Sequence, residues 1–396
     1  MKKLTLLSLI TAYSLYAGGY KIPENSINAV ALSAATVAHS HGADTAYYNP
    51  ANMVFMDDEN SIDTNLMYIG LDPIKFEGSG SMNGVSVNAQ RESFAVPSLH
   101  FVSKKLGNAR VGLSIVTPGG LSKRWNKSPA VDIAKEFTLF SVEVNPTVAI
   151  ALNDKFAIAF GFRAVYSSGI VKSNSAVSRD MSGDSVDMGY NLALSYKPTK
   201  EFDIGLTYRS KVDLSEEGNA KLYNPTNLVY DGGSTVTIPL PATFSLAVAY
   251  NFVTNTTVEF VYEKNMWSAY KSLDFNYAGN VGNLKPYFDD AIAKNWDDTN
   301  AYRIGITQNM QDLTLMAGAV YDETPIPSST MSFELPDSNS ISVSLGAKYQ
   351  VSDKLNIGLS GLYSMRDTRS VTNSNLSGKF SNSDVLIIAT GLEYKF

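Results

Sequence analysis

The chain contains no cysteine, so no disulfide braces it, whatever compartment it occupies. Histidine is nearly as scarce. Only His39, His41 and His100 are present, and no GxSxG-type elbow accompanies them, which removes the usual nucleophile and base of an esterase or phospholipase. His39 and His41, two apart in an irregular stretch, do not amount to a metal site. Phosphate-loop and dinucleotide motifs are also missing. The expectation is a protein that is not an enzyme, with no metal and no cofactor. Charge is sparse and slightly acidic, with a net charge of −6 and a pI of 5.2. Without a basic stripe, nucleic acid is not an expected partner. Finally, no segment approaches the run of about 18 apolar residues that a membrane-spanning helix needs.

What is present points to export. Met1-Lys2-Lys3, the short apolar stretch after them and the small-residue end at Ala17 have the charged, apolar and cleavage regions of a secretory signal peptide. The stretch is too short and too polar (Thr5, Ser8, Thr11, Ser14) to anchor the chain in a bilayer. Residues 1–17 are therefore expected to be removed, with the mature chain starting near Gly18. Twenty-eight glycines, 22 tyrosines and 18 phenylalanines, at a mean hydropathy of −0.07, suit strands with one apolar and one polar face.

A period-two alternation recurs from residue 60 to the C-terminus. Leu386, Ile388, Leu392, Tyr394 and Phe396 share one face; Ala389, Gly391, Glu393 and Lys395 share the other. Similar uncharged faces carry Phe156, Ile158, Phe160, Phe162 and Tyr166, or Tyr302, Ile304 and Ile306. Charges such as Glu143, Arg163, Asp187, Asp203, Arg209, Glu259, Arg303 and Asp322 fall on the opposite registers. A single strand of this kind could pack on a second sheet as well as on lipid. Number and spacing decide between them. Segments near 60–71, 91–104, 110–118, 138–152, 156–168, 185–197, 201–210, 236–252, 256–270, 300–310, 313–323, 339–351, 354–367 and 384–396 make fourteen strands, an even number, as single-chain bacterial barrels have. Tight turns at 106–109, 153–154, 197–200, 253–255, 311–312 and 352–353 alternate with long loops near 72–90, 119–137, 169–184, 211–235, 271–299, 324–338 and 368–383. That asymmetry belongs to outer-membrane barrels. The expected fold is all-β, a 14-stranded antiparallel transmembrane β-barrel over residues 56–396, in the outer membrane of a Gram-negative bacterium.

A barrel of this width encloses a channel, a cavity or a plugged lumen. Residues 18–55 decide which. They are rich in small residues, lack alternation and carry Ile22, Ile27, Val30 and Leu32, a composition unlike a disordered tail. A plug inside the lumen is expected.

Three stretches carry a family resemblance. They are Pro23-Glu24-Asn25-Ser26 through Gly42-Ala43-Asp44-Thr45-Ala46 to Asn49-Pro50-Ala51; Val96-Pro97-Ser98-Leu99-His100-Phe101-Val102 with Thr117-Pro118-Gly119-Gly120-Leu121; and Trp296-Asp297-Asp298-Thr299 through Tyr302-Arg303-Ile304-Gly305 to Tyr321-Asp322-Glu323-Thr324-Pro325-Ile326-Pro327. In this order they resemble the FadL/TodX family of outer-membrane transporters for long-chain fatty acids and aromatic hydrocarbons. The resemblance implies a fourteen-strand barrel, an N-terminal hatch containing Asn49, Pro50 and Ala51, and a ligand that leaves sideways through a kinked strand. Pro118, Gly119 and Gly120 are the candidates for that kink, since proline removes a ladder donor and glycine permits a bulge.

Asp322 falls directly on the family's ligand pocket. Arg303 faces the lumen on the neighbouring strand, where an ion pair between the two that braces the wall is the bland reading. The family's lysine ahead of the Trp296 region falls on Ile292, with Lys294 nearby, and its arginine on the fifth strand falls on Arg163 or Lys172. A carboxylate headgroup favours such cations, Arg above all. Met316 and Val320, with Val165, Val261 and Leu362, supply apolar lining. The expected function is passive uptake of long-chain fatty acids or similar hydrophobic molecules, with a diffusion porin for small polar solutes as the alternative. The expected partners are that ligand, outer-membrane lipid and the barrel-assembly machinery, which would read the terminal Phe396; a monomer is expected.

Overall fold

The structure is a computed structural model that describes residues 18–396; the expected signal peptide, residues 1–17, lies outside the described residues. Fourteen antiparallel strands close into a barrel. They are β1 (Ser61–Leu71), β2 (Glu92–Val102), β3 (Ala109–Val116), β4 (Glu136–Ala151), β5 (Phe156–Lys172), β6 (Ser178–Tyr196), β7 (Phe202–Arg209), β8 (Ala242–Asn251), β9 (Thr256–Met266), β10 (Thr299–Asn309), β11 (Leu313–Asp322), β12 (Ser340–Ser352), β13 (Leu355–Arg366) and β14 (Val385–Lys395). β1 pairs with β14 along its whole length, from Ser61 opposite Lys395 to Leu71 opposite Val385. That pairing closes the sheet, and closure answers the backbone groups that a bilayer could not hydrogen-bond. Asn60 and Phe396 exchange backbone hydrogen bonds of 3.1 and 3.0 Å, so the terminal aromatic finishes the seam at the short-turn end.

The alternation has the expected consequence. Phe160, Phe162, Ile304, Ile306, Leu359 and Ile388 point outward and stay largely exposed, whereas Glu143, Arg163, Glu259 and Arg303 point inward and are buried. Lipid, not a second sheet, is the solvent for the outer face.

The long-loop end departs from the expected loops: those at 72–90 and 368–383 together form a four-stranded sheet of Lys75–Gly78, Ser86–Asn88, Arg369–Thr372 and Ser377–Ser381, and two others lengthen the wall. The predicted loop at 169–184 is mostly strand, because β5 and β6 run on past the membrane zone and leave only a short connection at 173–177. The predicted loop at 211–235 is a hairpin of Val212–Tyr223 and Leu228–Leu240 that adds to the β6 extension through residues 178–184. The hairpin alternates like the barrel strands, but its polar face meets water. Leu214, Ala220 and Leu222 are buried while Asp213, Glu217 and Lys221 are exposed. It also shortens the strand expected at 236–252, which begins only after Pro241, where the missing N–H interrupts a ladder. Above the lumen, Phe76, Trp125, Phe333 and Phe380 form an aromatic cap, with Phe333 lying 4.9 Å from Phe76 and 5.2 Å from Trp125.

Residues 18–56 fold inside the barrel, where only Lys21, Pro23, 39–41, Tyr48, Phe55 and Met56 keep partial exposure. A short helix at Ile27–Ala31 is N-capped by the Ser26 side chain, and Asn49 caps a 3-10 turn at Pro50–Phe55. The wall makes room with glycine. A Cβ at Gly318 would strike the backbone of Leu32, and one at Gly205 that of Val37.

Polar contacts hold the segment in place. Glu259 of β9 accepts hydrogen bonds from the backbone N–H groups of Val37 (2.6 Å), Ala38 (2.7 Å) and His39 (3.1 Å). Arg303 donates to the Ser33 carbonyl at 2.9 Å, and Lys348 to that of His41 at 2.7 Å.

Candidate functional site

A break interrupts the wall between β2 and β3. β2 is paired with β1 throughout, but on its other side it meets β3 only at residues 99–102, opposite 112–115. Beyond Val116 the chain turns inward. Thr117 N–H donates to Asn25 Oδ1 (3.1 Å), the Pro118 carbonyl accepts from Ile22 N–H (3.0 Å), and Gly120 N–H donates to the Tyr20 carbonyl (2.8 Å). The strand edge that proline and glycine release from β2 is thus satisfied by the N-terminal segment. Gly120–Lys123 then rejoins the wall beside β4. Higher up, Gln90 N–H bonds the Arg124 carbonyl at 2.9 Å, which bounds the break from above. Pro118, Gly119 and Gly120, the predicted kink, all lie here.

Behind the break is a partly open cavity. Pro118, Val37, Leu240 and Val261 contribute apolar lining; Lys21, Arg163, Arg209 and Glu263 contribute charge. Arg163 is bonded to Glu143 at 2.9 Å and donates to the Ser210 carbonyl at 2.5 Å. Arg209 bonds the other oxygen of Glu143 and lies 4.2 Å above the Tyr47 ring. Lys21 pairs with Glu263 at 2.7 Å. Three cations therefore face two carboxylates at the cavity.

The family model described as outer membrane protein transport protein (OMPP1/FadL/TodX) matches residues 8–396. The chain belongs to the FadL/TodX family. It is 24% identical to the long-chain fatty acid transport protein of Escherichia coli O6:H1, over 80% of this chain and 79% of that protein. It is 22% identical to outer membrane protein P1 of Haemophilus influenzae Rd, covering the whole of both. Two solved structures share the fold. A Pseudomonas aeruginosa FadL homologue superposes with a TM-score of 0.86 at 19% identity, over 96% of this chain and 100% of that one. The Pseudomonas putida toluene transporter TodX does so at 0.76 and 16% identity, over 94% and 98%. As a FadL/TodX member the chain is an outer-membrane transporter of hydrophobic compounds.

The other residues singled out from sequence divide by location. Arg163 lines the cavity. Arg303 and Asp322 both face the lumen, but the brace between them is replaced by other pairings. Arg303 turns to Glu263 (3.2 Å) and Glu24 (3.8 Å), while Asp322 lies against Gly18. Met316 is buried in a cluster with Ala31, Leu32, Ala35 and Val37 of the N-terminal segment and does not itself line the cavity. Val320 is buried opposite Arg303. Lys172 sits at the long-loop end between Glu136 (3.7 Å) and Asp180 (3.5 Å). Lys294 lies in the loop after β9, bonded to Glu334, with its ammonium drawn by burial down to about 7. In the N-terminal segment, Asn49 donates to the Val37 carbonyl at 2.7 Å and accepts from Ala51 N–H at 3.1 Å. Asn49-Pro50-Ala51 thereby ties the two halves of this segment together.

Lys21, Glu143, Arg209 and Tyr47 were not singled out as ligand residues from sequence. For Arg209 the signal was there, since it shares register parity with the inward Asp203 and Thr207 of β7. For Lys21 and Tyr47, which lie in a segment without periodicity, there was none.

Proposed function

We propose that the protein takes up long-chain fatty acids passively, holding them in the cavity beside β3 and releasing them sideways through the break between β2 and β3, with residues 18–55 as the hatch. The observation that carries this reading is the position of Pro118, which belongs both to the cavity lining and to the broken strand edge. An alkyl chain gains about 0.8 kcal/mol for each CH₂ transferred from water to apolar surroundings, so a route from apolar pocket to membrane interior follows the gradient without an energy source.

Charge supports a carboxylate headgroup over a neutral hydrocarbon. Arg163 and Arg209 share the single carboxylate of Glu143, which leaves the cavity one positive charge in excess. An arginine can grip a second carboxylate through parallel N–H···O bonds. The anchors at Glu259, Arg303 and Lys348, which hold residues 33–41 across the lumen, support the hatch reading.

The test compares two fluxes in reconstituted vesicles. Labelled oleate should cross at a rate that scales with the amount of barrel, while sugars should produce little swelling. Brisk sugar flux through the intact barrel would establish the porin alternative instead.

A further inference from the structure

Spacing alone does not make a metal site of His39 and His41, but the fold brings their rings to one place. Both line a partly open cavity at the short-turn end of the barrel, together with Met56, Lys197 and Glu393. Short turns lie on the periplasmic side of outer-membrane barrels, so this cavity belongs to the periplasmic mouth. The two ring centres are 5.1 Å apart, with the planes at 64°. Two imidazoles on one tetrahedral zinc ion, at Zn–N bonds of about 2.1 Å, have ring centres roughly 5 Å apart. The separation is that of a chelating pair.

One ring is oriented and the other is free. His39 Nδ1 lies 2.7 Å from Asp203 Oδ2. Asn251 donates to the same oxygen at 3.0 Å, and Lys197 donates to Oδ1 at 2.6 Å. A carboxylate on Nδ1 favours the tautomer that leaves Nε2 with its lone pair, the arrangement found behind metal-ligating histidines. The His41 ring makes no hydrogen bond among the described residues, and between the two the Ser40 hydroxyl is buried without a partner.

The backbone that carries the rings is held from two walls. His39 N–H donates to Glu259 Oε2 at 3.1 Å, and the His41 carbonyl accepts from Lys348 at 2.7 Å. Lys197, Lys348 and Lys395 at this mouth are bonded to Asp203, Glu393 and Asp57 respectively, so none of the three opposes a cation with an unpaired charge. The remaining histidine, His100, is fully buried, bonded to Ser114 and to the Asn25 carbonyl.

We propose that His39 and His41 bind a divalent transition-metal ion at the periplasmic mouth, with Asp203 orienting His39. Imidazole selects zinc, copper or nickel over magnesium and calcium. No group of three or more histidines and carboxylates is placed to hold a metal among the described residues, so the protein supplies two ligands and water from the open side supplies the others. That makes the site exchangeable, unlike a closed structural zinc centre. An ion there cross-links two residues of the N-terminal segment and stiffens its periplasmic end. The site is independent of which molecule is transported.

The test titrates zinc into the untagged, metal-stripped mature barrel in detergent, against a chromogenic zinc indicator. One ion should bind per barrel. H39A and H41A should each weaken binding about tenfold or more, the double variant should abolish it, and D203A should weaken it about 10- to 100-fold, as loss of a carboxylate behind a ligating histidine does. Folding is checked by the faster migration of an unheated barrel in a detergent gel. In the wild type, zinc but not magnesium should protect His39 and His41 from diethyl pyrocarbonate, read by peptide mass spectrometry. Lack of a stoichiometric ion, binding that survives in the folded double variant, or unchanged modification of both histidines under zinc would overturn the proposal. Equal affinity in folded D203A would overturn the role given to Asp203. The protection measurement uses the wild type alone and decides the matter even if a variant does not fold.

Discussion

Glu92 on β2 reaches across the broken edge of the barrel wall to Arg124, with 2.7 Å between carboxylate and guanidinium. The same carboxylate accepts a hydrogen bond from Ser122, so a side chain spans the gap that the backbone leaves open. The break is latched by charge. Charge-assisted hydrogen bonds of this kind contribute about 1.5–3 kcal/mol each, small enough to open on a transport timescale.

E92Q should therefore loosen the latch and raise the rate of oleate uptake several-fold, leaving the barrel's resistance to heat in detergent nearly unchanged. An uptake assay beside a gel-shift assay of folding reads both. Slower uptake in a folded E92Q barrel would mean that Glu92 guides ligand, not that it closes the wall.

Glu259 clamps the backbone of Val37, Ala38 and His39. E259A removes three acceptor contacts at once and should free the hatch from β9, so that liposomes carrying the variant swell in sugars that the parent excludes. Unchanged swelling would place the barrier elsewhere in the lumen.

A wall glycine offers an independent route to the same state. G318V puts a branched side chain where the Leu32 backbone now lies, and overpacking of this kind is destabilising by about 1–3 kcal/mol. The barrel should still assemble, since residue 318 lies among inward positions of β11, but residues 31–35 should be displaced. Proteolysis of the hatch in folded barrels and faster sugar flux are the expected results.

Arg209 and Arg163 should discriminate ligands by charge. R209A should lower oleate uptake about tenfold, the loss expected for one charge-assisted contact, with R209K recovering only part of it because lysine lacks the bidentate fork. Uptake of a neutral aromatic hydrocarbon should change little. Equal losses for both ligands would show that Arg209 supports the wall through Glu143 and does not bind a headgroup.

The fold was legible because the membrane imposes a rule that each strand states for itself. Phe160 and Phe162 share one face while Arg163 falls on the other, so each strand could be counted from its own alternation, and the number and spacing of the strands then separated lipid from a second sheet. The hairpin at Val212–Tyr223 escaped because it obeys the same alternation with water in place of lipid, and its charged face read as loop. Within the site, Pro118-Gly119-Gly120 was legible since a missing donor and a missing side chain are local properties. Partner choice was not. Arg303 was read with Asp322 because their strands are adjacent, yet its guanidinium bonds Glu263 and Ser33, and the second of these arrives from a segment more than two hundred residues away in sequence.

The central claim is exit through the break between β2 and the kink after β3, and the absence of native cysteine makes it directly testable. Cysteines introduced at Glu92 and Ser122, whose side chains touch, can be bridged with a short reagent that forms a cleavable disulfide to each thiol. The bridged barrel should bind oleate but no longer deliver it to the membrane, and reduction should restore uptake to the rate of the unbridged variant. Delivery at the same rate with the bridge intact would contradict lateral release.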